Sequence, residues 1–154
     1  MQISDFLDFE SIKRALPGGN KRALLQQLSQ LAGQRLGLEP SAILSSLAER
    51  ERLGSTGFGQ GVAIPHGKVD GLTGIYGLFV RLAEPIDFKA IDGERVDLVF
   101  LLLSPPDAGA EHLKALAAIS RVIRHAPTLE KMRGARTRDA LIAVLMGADE
   151  RDAA

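Results

Sequence analysis

The chain has 154 residues, 45% hydrophobic and 25% charged, which suits one globular domain with its own core. Its 19 Lys+Arg balance 19 Asp+Glu, without the basic excess or basic run of a general nucleic-acid binder. It has no cysteine, which excludes disulfides, thiolate metal sites, iron–sulfur clusters and cysteine nucleophiles, and its longest apolar runs fall far short of the roughly 20 residues that span a bilayer.

The start, Met1-Gln2-Ile3-Ser4-Asp5, carries an acid where a secretory signal carries basic residues, so a cytoplasmic protein without membrane insertion is expected. Residues 20–37 place Leu24, Leu25, Leu28, Leu31 and Ala32 at helical spacing. Pro40 suits the first turn of a second helix, whose stripe of Ala42, Ile43, Leu47 and Leu53 runs to Gly54. Residues 54–61 contain four glycines and read as a loop, followed by a short apolar piece at 62–64 that Pro65 stops. Residues 74–82 read as a strand, and 96–103 as a central strand buried on both faces. Between them Ala90-Ile91-Asp92-Gly93 has turn chemistry. A helix is expected over 108–124, then two shorter ones around 129–133 and 138–146, the last capped by Thr137. The expected architecture is α/β: a mixed sheet sandwiched between helices, one domain over 1–146, with a flexible tail at 147–154.

The three histidines can be weighed singly. His66 lies between Pro65 and Gly67, so its imidazole stands on a stiff, uncrowded segment at a strand end. His112 opens a helix, where free N–H groups favour an anion, and its spacing with Leu116, Ile119 and Ile123 turns it towards the buried side. His125, at a helix C-terminus before Pro127, reads as structural. The Gly/Ser/Thr loop with Ser55 and Thr56 is a candidate anion cradle, and Arg50 at the end of the preceding helix can aim a guanidinium at a bound phosphate. The loop is neither a Walker A motif, since Lys68 is followed by Val69, nor a dinucleotide fingerprint, nor a Gly-x-Ser-x-Gly elbow. A zinc site from His66, His112 and Glu111 lacks any short-range His pair, and no metal or other cofactor is expected.

The segment Gly54-Ser55-Thr56-Gly57-Phe58-Gly59-Gln60-Gly61-Val62-Ala63-Ile64-Pro65-His66-Gly67-Lys68 closely resembles the phosphorylation-site segment of the fructose/mannitol-type IIA proteins of the bacterial phosphotransferase system. The likeness continues through Pro85-Ile86-Asp87-Phe88, Ala90-Ile91-Asp92-Gly93, the 96–103 strand and Glu111-His112-Leu113, and is strongest to the nitrogen-regulatory branch. The resemblance implies a mixed, about five-stranded sheet with helices on both faces. It implies that His66 accepts a phosphoryl group from an HPr-like carrier and holds it as phosphohistidine, without independent turnover. It also implies that His112 and Arg50 match the family's second histidine and conserved arginine. On chemical grounds His112 is then expected to stabilise the phosphoryl oxygens, with Ser55, Thr56 and loop N–H groups as secondary donors. Phe58 and Ile64 are candidates for the surface on which the donor docks, although core packing explains Ile64 equally well. Downstream, the chain is expected to signal to regulated target proteins. The alternatives are a sugar-specific IIA that passes phosphate to a IIB domain, and a binding module in which His66 is never phosphorylated.

Overall fold

The computed structural model describes the backbone of residues 1–153 and the side chains of residues 1–148. Two 3₁₀ turns, Ile3–Asp5 and Phe9–Ser11, lead into β1 (Lys13–Leu16), followed by α1 (Lys21–Leu36) and α2 (Pro40–Arg52). Three short strands follow, β2 (Gly57–Gly59), β3 (Val62–Ala63) and β4 (His66–Lys68), then the long strands β5 (Tyr76–Ile86) and β6 (Val96–Ser104). The chain ends in α3 (Ala110–Ile123), α4 (Ala126–Gly134) and α5 (Arg138–Ala153).

The sheet is mixed and occupies five positions in the order β1-β5-β6-β3-β2, with β4 also paired to β6. β6 is antiparallel to β5 and parallel to β3 and β4, which lie end to end along its other edge. Its alternating side chains serve two cores, as a strand covered on both faces must. Leu98, Phe100 and Leu102 pack with the α3, α4 and α5 layer, whereas Val99, Leu101 and Leu103 pack with α1 and α2. Phe79 of β5 meets Phe100 across the strand pair at a ring separation of 4.8 Å. Among the described residues, no helix is long and apolar enough to cross a membrane.

α1 is capped by Asn20, whose Oδ1 accepts from the Ala23 N–H at 2.8 Å, and α5 by Thr137, whose hydroxyl accepts from Ala140 at 3.0 Å. Three features depart from the sequence reading. The glycine-rich stretch is only half loop, because Gly57–Gly59 pairs with Val62–Ala63 as a hairpin. Gln60 and Gly61, both at positive φ, form its two-residue turn. β1 escapes the periodicity argument because its Lys13, Arg14 and Ala15 are exposed. α5 does not stop at Met146 but continues through Gly147 to Ala153, since Leu141, Leu145 and Ala148 make one buried stripe; residue 154 of the expected tail lies outside the described residues. Arg138 at its start reaches back across the fold, donating to the carbonyls of Ile12 (3.0 Å), Phe9 and Glu10 (both 2.7 Å).

The hairpin is held against the β5–β6 connection. Asp92 Oδ2 accepts from the Gln60 N–H at 3.1 Å, and the 90–93 turn closes through Gly93 N–H to the Ala90 carbonyl at 3.0 Å. Gly57 lies so close to this turn that a Cβ there would sit 2.6 Å from the Ala90 Cβ and 2.9 Å from its Cα. Gly57→Ala is therefore expected to destabilise the protein by about 2 kcal/mol through overpacking, read as a lower urea midpoint. An unchanged midpoint would mean that the 90–93 turn is free to retreat.

Candidate functional site

The site forms where β3 gives way to β4. Pro65 offers no N–H, so the strand beside β6 is interrupted there, while the Pro65 carbonyl still accepts from Leu102 at 3.0 Å. Pairing resumes at His66, opposite Leu102, which places the imidazole on the α3 side of the sheet. Gly67 faces α2 instead, where a Cβ would collide with Ser46 Oγ. His66 Nδ1 lies 2.8 Å from the Ile64 carbonyl oxygen. A carbonyl can only accept, so Nδ1 carries the proton and Nε2 keeps its lone pair.

A ring of hydrogen bonds holds the loop that leads to this point. Glu51, with a side chain only 7% exposed, bonds Lys21 Nζ at 2.6 Å. Its carboxylate also accepts from the Thr56 N–H at 3.2 and 3.3 Å and from the Thr56 hydroxyl. Ser55 Oγ donates to the Phe88 carbonyl at 3.2 Å and accepts from the Gly57 N–H at 3.1 Å. Lys21 Nζ stands 4.4 Å from the centre of the Phe88 ring, tying both halves together. Arg50 Nη1 donates to the Gly54 carbonyl at 2.8 Å. Together with His66, Phe58 and Leu116, Arg50 lines an open cavity of about 390 Å³ between the loop and α3.

His112, in the first turn of α3, brings its ring to 5.5 Å from that of His66, tilted by 52°. Its Nδ1 is hydrogen-bonded to Ser104 Oγ, at the end of β6. Both imidazoles are held below their ordinary pKa of 6.5. For His66 burial is the main cause, opposed by the Ile64 hydrogen bond, with the Arg50 charge lowering it further and Glu51 raising it. For His112 burial again leads, reinforced by His66 and Lys68. The geometry thus sets two neutral rings side by side near pH 7, one with a defined free lone pair.

The sequence-predicted residues fall into two groups. His66 and Arg50 line the cavity, and His112 stands beside the His66 ring. Ser55 and Thr56 line the cavity, but their hydroxyl protons go to the Phe88 carbonyl and to Glu51, and the N–H groups of Thr56, Gly57 and Gln60 are also committed within the protein. What the loop supplies is stiffness. Phe58 is 41% exposed at the cavity rim, whereas Ile64, at 6%, belongs to the α3-side core at the cavity wall; its carbonyl meets His66. His125 caps the start of α4 and bonds Thr128 Oγ1 at 2.7 Å, away from this space. Glu51 and Ser104 are missed by sequence reasoning. Glu51 sits in an Arg-Glu-Arg run that resembles a solvated face, and nothing in the local pattern pairs Ser104 with His112. Among the described residues, no group of three or more His, Asp or Glu side chains is arranged to hold a metal ion.

Residues 5–147 match the family model described as "Phosphoenolpyruvate-dependent sugar phosphotransferase system, EIIA 2". The chain belongs to this EIIA family. Among EIIA-type relatives, it is 48% identical over 145 residues to a nitrogen regulatory protein of Bradyrhizobium diazoefficiens, covering 94% of this chain and 95% of that one. It is 35% identical over 144 residues to a fructose-specific EIIA component of Haloferax volcanii, covering 93% and 94% of the two chains. The crystal structure of nitrogen regulatory protein IIA-Ntr from Neisseria meningitidis superposes with a TM-score of 0.86 at 34% identity, covering 93% of this EIIA chain and 98% of that one.

Because the folded EIIA chain holds both imidazoles below their ordinary pKa, the unfolded chain takes up protons first as pH falls. Their contribution to stability is complete above pH 6.5 and is lost below it. In an NMR titration both rings should show midpoints under 6.5, and Arg50→Gln should move the His66 midpoint upward by removing a nearby cation. A downward or absent shift in the variant would show that the Arg50 charge is not felt at His66.

Proposed function

We propose that this EIIA protein is a cytoplasmic phosphocarrier of the nitrogen-regulatory type, receiving a phosphoryl group on His66 Nε2 from an HPr-like phosphohistidine protein and acting on regulated targets through its phosphorylation state. The observation that carries the reading is the Nδ1–H bond to the Ile64 carbonyl, which leaves Nε2 as the nucleophile beside an open cavity. In the transfer, the Nε2 lone pair forms the new N–P bond as the donor's N–P bond breaks, and the donor imidazole departs with the electron pair. The transition state is loose and in line, so positioning and charge do most of the work. Arg50 supplies positive charge at the cavity, and His112, 5.5 Å away ring to ring, stabilises the phosphoryl oxygens. Ser55 and Thr56 act at one remove by holding the loop.

Phosphorylation adds about −1.5 to −2 charges at one spot on a chain with no formal net charge, a change suited to switching partner binding. Phe58 (41% exposed) and Leu113 (67% exposed), beside the loop and on the first turn of α3, offer apolar contacts to an approaching donor. A second reading rests on the 35% identity to the fructose-specific EIIA component: the same His66 chemistry, with a IIB domain as acceptor.

Intact-mass spectrometry after incubation with phosphoenolpyruvate and the general phosphotransferase components tests the carrier chemistry. Wild type should gain one acid-labile phosphoryl group and His66→Ala none. His112→Ala should still accept, about 100-fold more slowly, because a positioned donor is lost and the nucleophile stays. No added mass on wild type with a cognate donor would sink this reading and favour a binding module. Phosphate passed on to a IIB domain would favour the sugar-transport reading.

A further inference from the structure

Ser104 is fully buried at the end of β6, and among the described residues its Oγ is hydrogen-bonded to His112 Nδ1 alone. The backbone of Ser104 is fixed independently: it is paired with Lys68 of β4, and its carbonyl accepts from the Val69 N–H at 2.9 Å. The same strand pair that carries His66 therefore carries the group that meets His112.

A hydroxyl can donate or accept, and a neutral imidazole does one at each nitrogen. If His112 Nδ1 donated, the Ser104 hydroxyl proton would be left in a buried site with no acceptor among the described residues. If Ser104 donates, only oxygen lone pairs go unused, which buried groups tolerate far better. The neutral form of His112 is also the one its surroundings favour, since burial disfavours a charge there and His66 and Lys68 stand near it. From this we infer that Ser104 is a positioning residue: its hydroxyl donates to His112 Nδ1 and so fixes the His112 proton on Nε2.

The two rings then hold opposite tautomers. His66 is protonated at Nδ1 by its bond to Ile64 and presents a lone pair; His112 is protonated at Nε2 and presents a hydrogen. With centroids 5.5 Å apart, one ring attacks phosphorus while the other donates to a phosphoryl oxygen, and no proton needs to move between them. The functional half of this inference rests on the phosphocarrier reading; the tautomer half does not.

Long-range ¹H–¹⁵N correlation of the histidine rings in the full, unphosphorylated chain near neutral pH tests the assignment without any donor protein. Wild-type His112 should show an unprotonated Nδ1 and a protonated Nε2, with His66 the reverse. In Ser104→Ala the His112 nitrogens should move towards averaged shifts and phosphoryl acceptance should slow about tenfold, less than for loss of His112 itself. Ser104→Thr, which keeps the hydroxyl, should restore both. A wild-type His112 protonated at Nδ1 would overturn the assignment outright. So would a Ser104→Ala protein with unchanged ring shifts, and unchanged transfer in that variant would overturn the positioning role. If Ser104→Ala does not fold, the wild-type spectrum and Ser104→Thr decide. A chain that shows the expected tautomers yet accepts no phosphate would refute the carrier reading and leave the tautomer assignment standing.

Discussion

The site depends on one break in a strand. The edge of β6 facing β3 and β4 would take a single parallel partner, but Pro65 cannot donate to it, and the partner is split into two short pieces. The break leaves the Ile64 carbonyl within 2.8 Å of the His66 ring, so the backbone that precedes the histidine selects its tautomer. Because the pieces on either side are still paired to β6, the bend is as fixed as the central strand itself. A flexible loop would leave the ring free to carry its proton on either nitrogen; here the Ile64 carbonyl favours Nδ1.

The approach to the break is stiffened by a buried carboxylate. Glu51 belongs to α2, yet it binds the loop at Thr56 and the start of α1 at Lys21. Such an arrangement keeps a negative charge near His66, and Glu51 does raise the His66 pKa, against the lowering by burial and Arg50. The opposed signs matter chemically. Arg50 favours the neutral form of His66, while the Glu51 charge is shared with Lys21 and is spent largely on holding the chain.

Much of this architecture is legible from residue order. α1, α2 and α3 declare themselves through apolar spacing and terminal Gly or Pro, and β6 through a continuous Leu/Val/Phe run that only a two-faced burial accommodates. Pro65-His66-Gly67 marks the centre of the site directly, and the motif around it places Arg50 and His112. What escapes notice is anything decided by tertiary contact. β1 has no apolar alternation because it is an edge strand paired along one side to β5. Ile64 is apolar beside an exposed loop, and only the packing of α3 shows it to be core. Ser55 and Thr56 have the chemistry of phosphate donors, but Phe88 and Glu51, brought in from elsewhere, take their hydroxyl protons first.

Arg138 bears on how the chain is made. Its guanidinium serves the carbonyls of Phe9, Glu10 and Ile12, more than 120 positions upstream. During synthesis the first dozen residues emerge long before this donor does, and β1 likewise waits for β5. The β1 edge can therefore pair well before the end of synthesis, whereas the carbonyls of Phe9, Glu10 and Ile12 gain this donor only once translation has passed into the final helix. A ribosome stalled short of α5 would hold a nascent chain in which those three carbonyls still lack their guanidinium donor.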